Sequence, residues 1–467
     1  MESAAPILRS FKITGLHGYK DVTLDFTGSA RVIVAENGSG KTTILNALNA
    51  VVSRRFQRLS SISFESIEVE FFGGLLPISL RKEHLGSFSA SVFEQVSELA
   101  RYGNTDNAEL TDFLQSTYER GNYSKFTRIP LMHRIYINSP HDHEELAEIF
   151  DNLYDSLEGA SDGEAKAAKE LVAQAFKDVQ IVYLPTYRRI ELPLLRASRQ
   201  RTATAKQRFV RGERGFAGLD AHHINFGLAD VEETLAQLTE EIERRSNMEY
   251  RAISATILDE IIRDQVEKEG VTSHELPDIE SLTRFLARVA RDATAGVSLD
   301  AIRRLYESRE IDRPDKPWLR YFLGRLNRVI SRTRVMELKL ERFVEVSNEY
   351  LKSSSDEKQL AYDPQSMKVV VKNSWTGNDI QLDDLSSGEK QVVSLMAKLY
   401  LSDSKKFVMI DEPELSLSMD WQKKILPDVL NSGSGVQLLA STHSPFVYEN
   451  ELDPVAGPLK ISRHRPK

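Results

Sequence analysis

The 467-residue sequence contains no cysteine and no stretch of about 18 consecutive apolar residues. Without cysteine the chain forms neither disulfides nor thiolate metal sites, which is typical of proteins in a reducing compartment. The first residues lack the basic segment and apolar core of a secretory signal peptide. These absences predict a cytoplasmic protein that is neither secreted nor inserted in a membrane.

Basic residues are outnumbered by acidic ones, with 61 Lys and Arg against 69 Asp and Glu, which gives a net charge of -8. Binding along nucleic-acid phosphates needs positive potential, so any nucleic-acid contact must be local. The local exception is the basic arm between Arg188 and Arg214, which holds nine basic and two acidic residues. It fits a contact site for nucleic acid, nucleotide or an acidic partner, and it fits a solvated linker equally well.

A glycine turn lies between a β-branched strand, Arg31 to Val34, and an apolar-periodic helix. Strand, glycine turn and helix is the context of a phosphate-binding P-loop, although Ala35 stands where that motif has its first glycine. In such a loop Lys41 reaches the β- and γ-phosphates of ATP, and the Thr42 hydroxyl is a ligand of Mg²⁺. The residues predicted to bind ATP here are Asn37, Gly38, Ser39, Gly40, Lys41, Thr42 and Thr43.

A continuous apolar run ends in Asp411 and Glu412, as expected of a buried parallel strand whose carboxyl end faces a ligand. Asp411 is predicted to hold Mg²⁺ through water, and Glu412 to activate the water that attacks the γ-phosphate. A second apolar run leads to His443, a candidate γ-phosphate sensor. A histidine after a strand is more often structural, but its position after the acidic strand favours the sensor. The predicted catalytic residues are therefore Glu412, Lys41 and His443.

A second turn of small residues opens a helix within Leu385 to Gln391, which ends twenty residues before Asp411. Helix N-termini bind anions through free backbone N–H groups. Because the first turn already serves the nucleotide, the natural second anion is the γ-phosphate held by a partner subunit. The turn therefore predicts a composite site and a dimer, with contacts to the nucleotide from Ser386, Ser387, Gly388 and Glu389.

The order of these motifs resembles the ABC-type ATPase heads of SMC proteins, RecF and the overcoming-lysogenisation nucleases. The resemblance implies an α/β fold: an ABC-type P-loop ATPase head with a mixed sheet flanked by helices, plus a large, mainly helical insertion. It also implies a homodimer or higher oligomer, in which Ser387 and Gly388 face the partner's nucleotide and residues 415–417 cross the interface.

The string from Tyr183 to Glu191 looks like the PtuA-like ATPases of Septu and retron-associated anti-phage systems. It is also compatible with a buried strand whose arginines cap an acidic element. The closer resemblance implies a regulatory ATPase that acts with a separate HNH-type nuclease and contacts DNA through that complex. Only 24 residues follow His443, too few for a nuclease domain, so no nuclease activity of its own is expected. The alternative is a RecF-like ATPase that binds DNA directly in repair or replication.

Between Thr43 and Leu385 lie 341 residues, more than a minimal ATPase head requires. No heptad repeat runs over several turns, which argues against long SMC-type arms. Helices are predicted near 88–102, 142–157, 163–177, 228–267, 279–310 and 317–352. The expected domains are the head with the P-loop (1–95), a helical insertion (96–176), a head strand and coupling loop (177–192), the basic arm with a second helical insertion (193–335), and the rest of the head (336–467).

Overall fold

The structure is a computed structural model. It describes residues 5–35, 40–85, 90–116, 118, 129–159, 163–185, 228–262, 276–289, 299–312, 317–353, 357–364 and 366–464. The strands in these ranges are β1 (Leu8–Leu16), β2 (Lys20–Asp25), β3 (Ala30–Val34), β4 (Ser66–Phe71), β5 (Ile78–Arg81), β6 (Val179–Leu184), β7 (Lys358–Asp363), β8 (Lys368–Asn373), β9 (Asp379–Ile380), β10 (Lys405–Asp411), β11 (Gly435–Thr442), β12 (Ala456–Gly457) and β13 (Lys460–Arg463). The helices are α1 (Lys41–Val52), α2 (Ala90–Tyr102), α3 (Asn107–Ser116), α4 (Pro130–Asn138), α5 (His143–Gly159), α6 (Gly163–Ala175), α7 (Leu228–Ile262), α8 (Ile279–Val289), α9 (Leu299–Glu307), α10 (Pro317–Leu351), α11 (Ser387–Tyr400) and α12 (Met419–Asn431).

The chain forms two compact units, of which the first comprises residues 1–225 and 404–467 and the second comprises 226–403. The first unit contains two sheets. One is antiparallel, in the order β13-β2-β1-β4-β5, and the other is parallel, in the order β12-β3-β11-β10-β6. The parallel order puts β3, the strand before the glycine turn, beside β11, and β11 beside β10. The strand ends predicted to carry the site are therefore neighbours.

The buried side chain of Gln437, in β11, links the parallel sheet to the first strand of the antiparallel sheet by hydrogen bonds. Its Oε1 accepts hydrogen bonds from the backbone N–H groups of Ile7 (3.1 Å) and Leu8 (2.8 Å). Its Nε2 donates to the carbonyls of Leu8 (2.7 Å) and Gly28 (3.2 Å). Because a buried amide is costly unless it is hydrogen-bonded, this residue specifies how the first strand meets the parallel sheet.

Helix α1 lies against the core between the sheets, where Ile44, Leu45 and Leu48 are fully buried. Helix α6 joins the same core through Ala165, Ala168 and Val172. Helices α2 to α5 bury a separate apolar cluster of their own. The first unit therefore has one core around the sheets and a second, smaller core inside its helical insertion.

In the second unit, α7 and α10 pack against each other, and each contains 35 residues. At 1.5 Å per residue they are about 50 Å long. The buried face of α7 includes Val231, Leu235 and Ile242, and the helix continues without a break through Asn247 and Met248. Helix α10 also packs against β7, which belongs to the antiparallel sheet β7-β8-β9, and against α11.

The six predicted helical segments are helical in the structure, with ends that differ by a few residues. The segment 279–310 contains two helices, α8 and α9, and residues 290–298 between them lie outside the described residues. The sequence reasoning missed α3 and α4, which are only 10 and 9 residues long. The basic arm from Arg188 to Arg214 lies outside the described residues. Among the helices that the structure describes, none is both long and apolar enough to cross a membrane.

Candidate active site

Lys41 begins α1 directly after Gly40, whose φ of 92° is in the left-handed region that favours glycine. No side chain caps the start of this helix in the described structure. The Lys41 side chain is buried, and its Nζ donates to the Ala35 carbonyl (2.5 Å) and lies 2.5 Å from Nε2 of His443. A helix N-terminus with a buried ammonium group beside it is a suitable place for a phosphate.

Asp411, the last residue of β10, lies beside Thr42 and is 2 % exposed. Its Oδ2 accepts a hydrogen bond from Thr42 Oγ1 (2.7 Å), and its Oδ1 accepts one from Ser441 Oγ (2.9 Å). The carboxylate and the hydroxyl predicted to hold Mg²⁺ are thus in direct contact. The two hydroxyl donors also fix the orientation of the carboxylate.

Glu412 is held in an unusual backbone conformation at the end of β10, with a φ of 55°. Its N–H donates to the carbonyl of Ser441 (2.8 Å), and its carbonyl accepts from Leu415 N–H (3.2 Å). The carboxylate Oε1 lies 3.6 Å from Nε2 of His443. A non-glycine residue in this region costs about 1–2 kcal/mol and persists only where surrounding contacts enforce it, as often occurs at functional sites.

The loop that carries His443 is held by a carboxylate that sequence reasoning did not assign to the site. Glu414 Oε1 accepts from the backbone N–H of His443 (2.7 Å), and its Oε2 accepts from Thr442 Oγ1 (2.8 Å). Gln422, in α12, accepts from Ser444 Oγ (2.6 Å). Glu414 belongs to the acidic run after β10, and this run is a weak indication in the sequence of a role in the site. Nothing in the local sequence pattern indicates such a role for Gln422.

The charges around Lys41 are unbalanced, because three carboxylates, Asp411, Glu412 and Glu414, act on one ammonium group. Burial lowers the pKa of Lys41 from its ordinary value, and the negative charges of these three carboxylates oppose that shift. A divalent cation would offset the excess negative charge. Oxygen ligands from one carboxylate and one hydroxyl, completed by water and phosphate oxygens, are a set that Mg²⁺ commonly uses. The residues present therefore fit Mg²⁺ with ATP. No three His, Cys, Asp or Glu side chains of the described residues form a metal-binding group by themselves.

In the second unit, the predicted small-residue turn is the N-terminus of α11. Ser386 caps this helix, and Glu389 completes a reciprocal capping box by accepting from the Ser386 N–H (2.7 Å). Glu389 is 1 % exposed and forms an ion pair with Lys358 (3.2 Å), so its carboxylate stabilises the turn from inside. The N–H groups of Ser387 and Gly388 have no hydrogen-bond partner within the described residues. They remain available to an anion.

The structure thus brings together Lys41, Thr42, Asp411, Glu412 and His443 in the first unit. Thr43 is in the first turn of α1, and Asn37, Gly38 and Ser39 lie outside the described residues. Ser418 caps α12 by accepting from Trp421 N–H (3.4 Å). Tyr183, in β6, donates from its hydroxyl to Asn46 of α1 (2.9 Å).

The parallel sheet, the helix that begins at Lys41 after β3 and the carboxylates at the end of β10 define a P-loop ATPase fold, which confirms the predicted fold class. A family model described as an AAA domain matches residues 10–269, and a second AAA-domain model matches residues 240–449. The description of the second model also names the AbiEii toxin of a Type IV TA system. The chain belongs to the AAA domain family.

A curated relative, the "Retron Vc95 probable ATPase" of Vibrio cholerae serotype O1 biovar El Tor, is 28 % identical over 131 residues. The aligned part covers 26 % of this chain and 23 % of that relative, so the chain matches less than a quarter of the relative's length. Among solved structures, the Smc head domain bound to the C-terminal domain of ScpA, from Pyrococcus furiosus, is similar with a TM-score of 0.34 and 12 % identity. That alignment covers 98 % of this chain and 96 % of the Smc chain.

Proposed function

We propose that this protein hydrolyses ATP to ADP and phosphate. The observation that carries the proposal is the convergence of Lys41, Thr42, Asp411, Glu412 and His443 at neighbouring strand ends of the parallel sheet. Mg²⁺ bound with ATP would neutralise the negative charge that develops on the phosphates. Thr42 and Asp411 would hold that ion, the latter through water.

In the proposed reaction, Lys41 exchanges its bonds to the Ala35 carbonyl and His443 for phosphate oxygens. Glu412 accepts a proton from the water that attacks the γ-phosphorus, as the bond from that phosphorus to the ADP oxygen breaks. His443, released from Lys41, donates a hydrogen bond to the γ-phosphate. The contact between Lys41 and His443 supports this assignment, because it brings both side chains together beside the start of α1.

Nucleotide binding and steady-state hydrolysis by purified protein test this assignment. Lys41→Ala is expected to abolish binding, because it removes the cation that meets the phosphates. Lys424→Ala, which removes an exposed lysine of α12, is the matched control and should bind ATP as the wild type does. Binding by Lys41→Ala at wild-type affinity would contradict the proposed site.

The active unit is proposed to be a head-to-head homodimer in which each nucleotide also meets α11 of the partner subunit. The N–H groups of Ser387 and Gly388, which have no hydrogen-bond partner among the described residues, support this arrangement, because the capping box keeps the start of the helix open toward an anion. The Ser386 hydroxyl and the Glu389 carboxylate would then preserve the turn. Larger assemblies built from such dimers are compatible with the same contacts.

We further propose that the ATPase regulates a separate nuclease, of the HNH type, in an anti-phage complex of the Septu or retron-associated kind. The name of the retron relative and the toxin named in the family description support a defence role. Co-purification from the native operon, followed by DNA cleavage and phage-plating assays, tests the proposal. Metal-dependent DNA cleavage by this chain alone, without any bound partner, would contradict it.

A second candidate function, direct DNA binding as in RecF-like repair proteins, is favoured by a basic cavity in the second unit. Arg325, Arg328 and Arg332 of α10 line this cavity of about 230 Å³, and Glu249 is the one acidic residue in its lining. Arg325 is paired with Glu260 (3.0 Å), and Arg332 with Glu249 (3.3 Å). Arg328 is exposed and makes no hydrogen bond or ion pair with the described residues.

Titration of duplex DNA with increasing salt separates the two candidate functions. Tight binding by the isolated protein, with a steep loss of affinity as salt rises, favours the repair function. Arg328→Ala should then weaken binding and reduce the salt dependence. Arg251→Ala, which removes an exposed arginine of α7 outside the cavity lining, is the control and should leave binding unchanged.

A further inference from the structure

The loop that carries His443 is connected by side chains to two other segments of the first unit. One connection is the Glu414 carboxylate, which accepts hydrogen bonds from the His443 N–H and the Thr442 hydroxyl. Hydrogen bonds to an ionised acceptor are roughly twice as strong as those between neutral groups. Glu414 therefore joins the chain after β10, which carries Glu412, to the end of β11.

The second connection is the Gln422 amide. Its Nε2 donates to the Leu417 carbonyl (3.0 Å), and its Oε1 accepts from Ser444 Oγ (2.6 Å). The orientation of the amide follows from its partners, because a carbonyl can only accept and must face the NH₂ group. Gln422 thus joins the loop after β10 to the residue that follows His443, from a fixed position in α12.

These two connections hold the two chemically active side chains relative to each other. Glu412 and His443 lie on different loops, and their carboxylate and imidazole atoms are 3.6 Å apart. Tight turns hold Glu412, through Leu415 N–H to the Glu412 carbonyl (3.2 Å) and Leu417 N–H to the Glu414 carbonyl (3.2 Å). A shift of either loop would change the separation between the proposed base and the proposed phosphate sensor, to which rates of hydrolysis are sensitive.

We propose that Glu414 and Gln422 are positioning residues for ATP hydrolysis, which set the place of His443 relative to Glu412 without touching the nucleotide. This inference rests on the proposed ATPase function. It predicts that loss of either side chain lowers kcat and leaves ATP binding largely intact. The reason is that, among the described residues, neither Glu414 nor Gln422 hydrogen-bonds to Lys41 or Thr42.

The test compares kcat, KM and nucleotide affinity for Gln422→Leu and Glu414→Ala with the wild type. The kcat of each variant should fall about 10-fold or more, because a small displacement of catalytic side chains slows a reaction by at least that much. The affinity for the nucleotide should change by less than about threefold. Glu414→Gln keeps an acceptor for the His443 N–H and should recover much of the loss. Asn450→Ala is the matched control, because the Asn450 amide also joins α12 to the chain after His443, through the carbonyls of Lys423 and Val447. It should retain wild-type kcat.

A double-variant cycle separates positioning from general destabilisation. If Glu414 acts through His443, Glu414→Ala adds little further loss of kcat once His443 is replaced by alanine. Thermal unfolding of each variant checks that the protein is folded at the assay temperature. Unchanged kcat in Gln422→Leu and Glu414→Ala would contradict the positioning role, and so would losses that add fully to that of His443→Ala. Either result would leave the proposed ATPase function standing. A wild-type protein that does not hydrolyse ATP would overturn the proposed function and this inference with it.

Discussion

Replacing Glu412 by glutamine tests the proposed chemistry with the smallest change in shape. Glutamine retains the length of the side chain but cannot accept the proton of the attacking water. The backbone at position 412 stays in the left-handed region in both proteins, fixed by hydrogen bonds to Ser441 and Leu415. Lys41 and Thr42, which are expected to bind the nucleotide, keep their contacts to Ala35 and Asp411. Binding and hydrolysis should therefore separate.

General-base assistance contributes roughly 10²- to 10⁴-fold to a rate. Among the described residues, Glu412 is the carboxylate nearest to the imidazole of His443, at 3.6 Å, and it stands at the strand end where the reacting phosphate is expected. We therefore predict a loss of at least about 100-fold in hydrolysis, equivalent to about 2.7 kcal/mol in the barrier. Loss of its negative charge also removes repulsion of the phosphates, so ATP affinity should be equal or higher.

Single-turnover hydrolysis with protein in excess over labelled ATP measures the chemical step, and equilibrium binding of the same nucleotide measures affinity. Glu451→Gln, which neutralises an exposed carboxylate beyond the His443 loop, is the matched control and should hydrolyse at the wild-type rate. A Glu412→Gln rate within about threefold of the wild type would refute the assignment of the base, since removal of a general base costs far more than that.

Three further predictions concern other parts of the first unit. Affinity for a non-hydrolysable ATP analogue should fall as pH rises through the pKa of Lys41, which burial lowers from its ordinary value. Affinity that stays constant through the pH range in which an ordinary lysine loses its proton would contradict this. Asp411→Asn should raise the Mg²⁺ concentration needed for half-maximal hydrolysis at least about 10-fold, as measured by metal titration. Gln437→Leu should lower the free energy of unfolding by about 2–4 kcal/mol, because backbone groups of Ile7 and Leu8 lose their buried partners; denaturant melts showing no loss would contradict this.

The parts of the site that could be predicted from the sequence are those encoded by neighbouring residues. A β-branched strand, a glycine at positive φ and a periodic helix fix the place of Lys41, and all three occur within about 20 residues of sequence. The apolar run before Asp411 predicted a buried strand end, and β10 ends there. The parallel pairing of β10 with β11 then follows from the general geometry of such sheets.

The rest depends on contacts between residues far apart in the sequence. Glu414 meets His443 across 29 positions, and Gln437 meets Leu8 across 429. No periodicity signals such pairs, and in a single sequence a polar residue inside an apolar run has no visible partner. The antiparallel sheet, in which β13 pairs with β2, was also not predicted. Helices α3 and α4 were missed because each spans only about three turns of helix, a short window for a periodic pattern.

Mixing two inactive variants tests the composite dimeric site most directly. In Lys41→Ala the turn at Ser387 is intact, and in Ser387→Arg the nucleotide-binding turn is intact. If each active site combines Lys41 of one subunit with Ser387 of the other, a mixed dimer contains one fully intact site. Each variant alone should be inactive, and an equimolar mixture should recover about a quarter of the wild-type ATPase rate, because about half of randomly paired dimers are mixed. A mixture as inactive as its components, or wild-type hydrolysis by Ser387→Arg alone, would contradict the composite site.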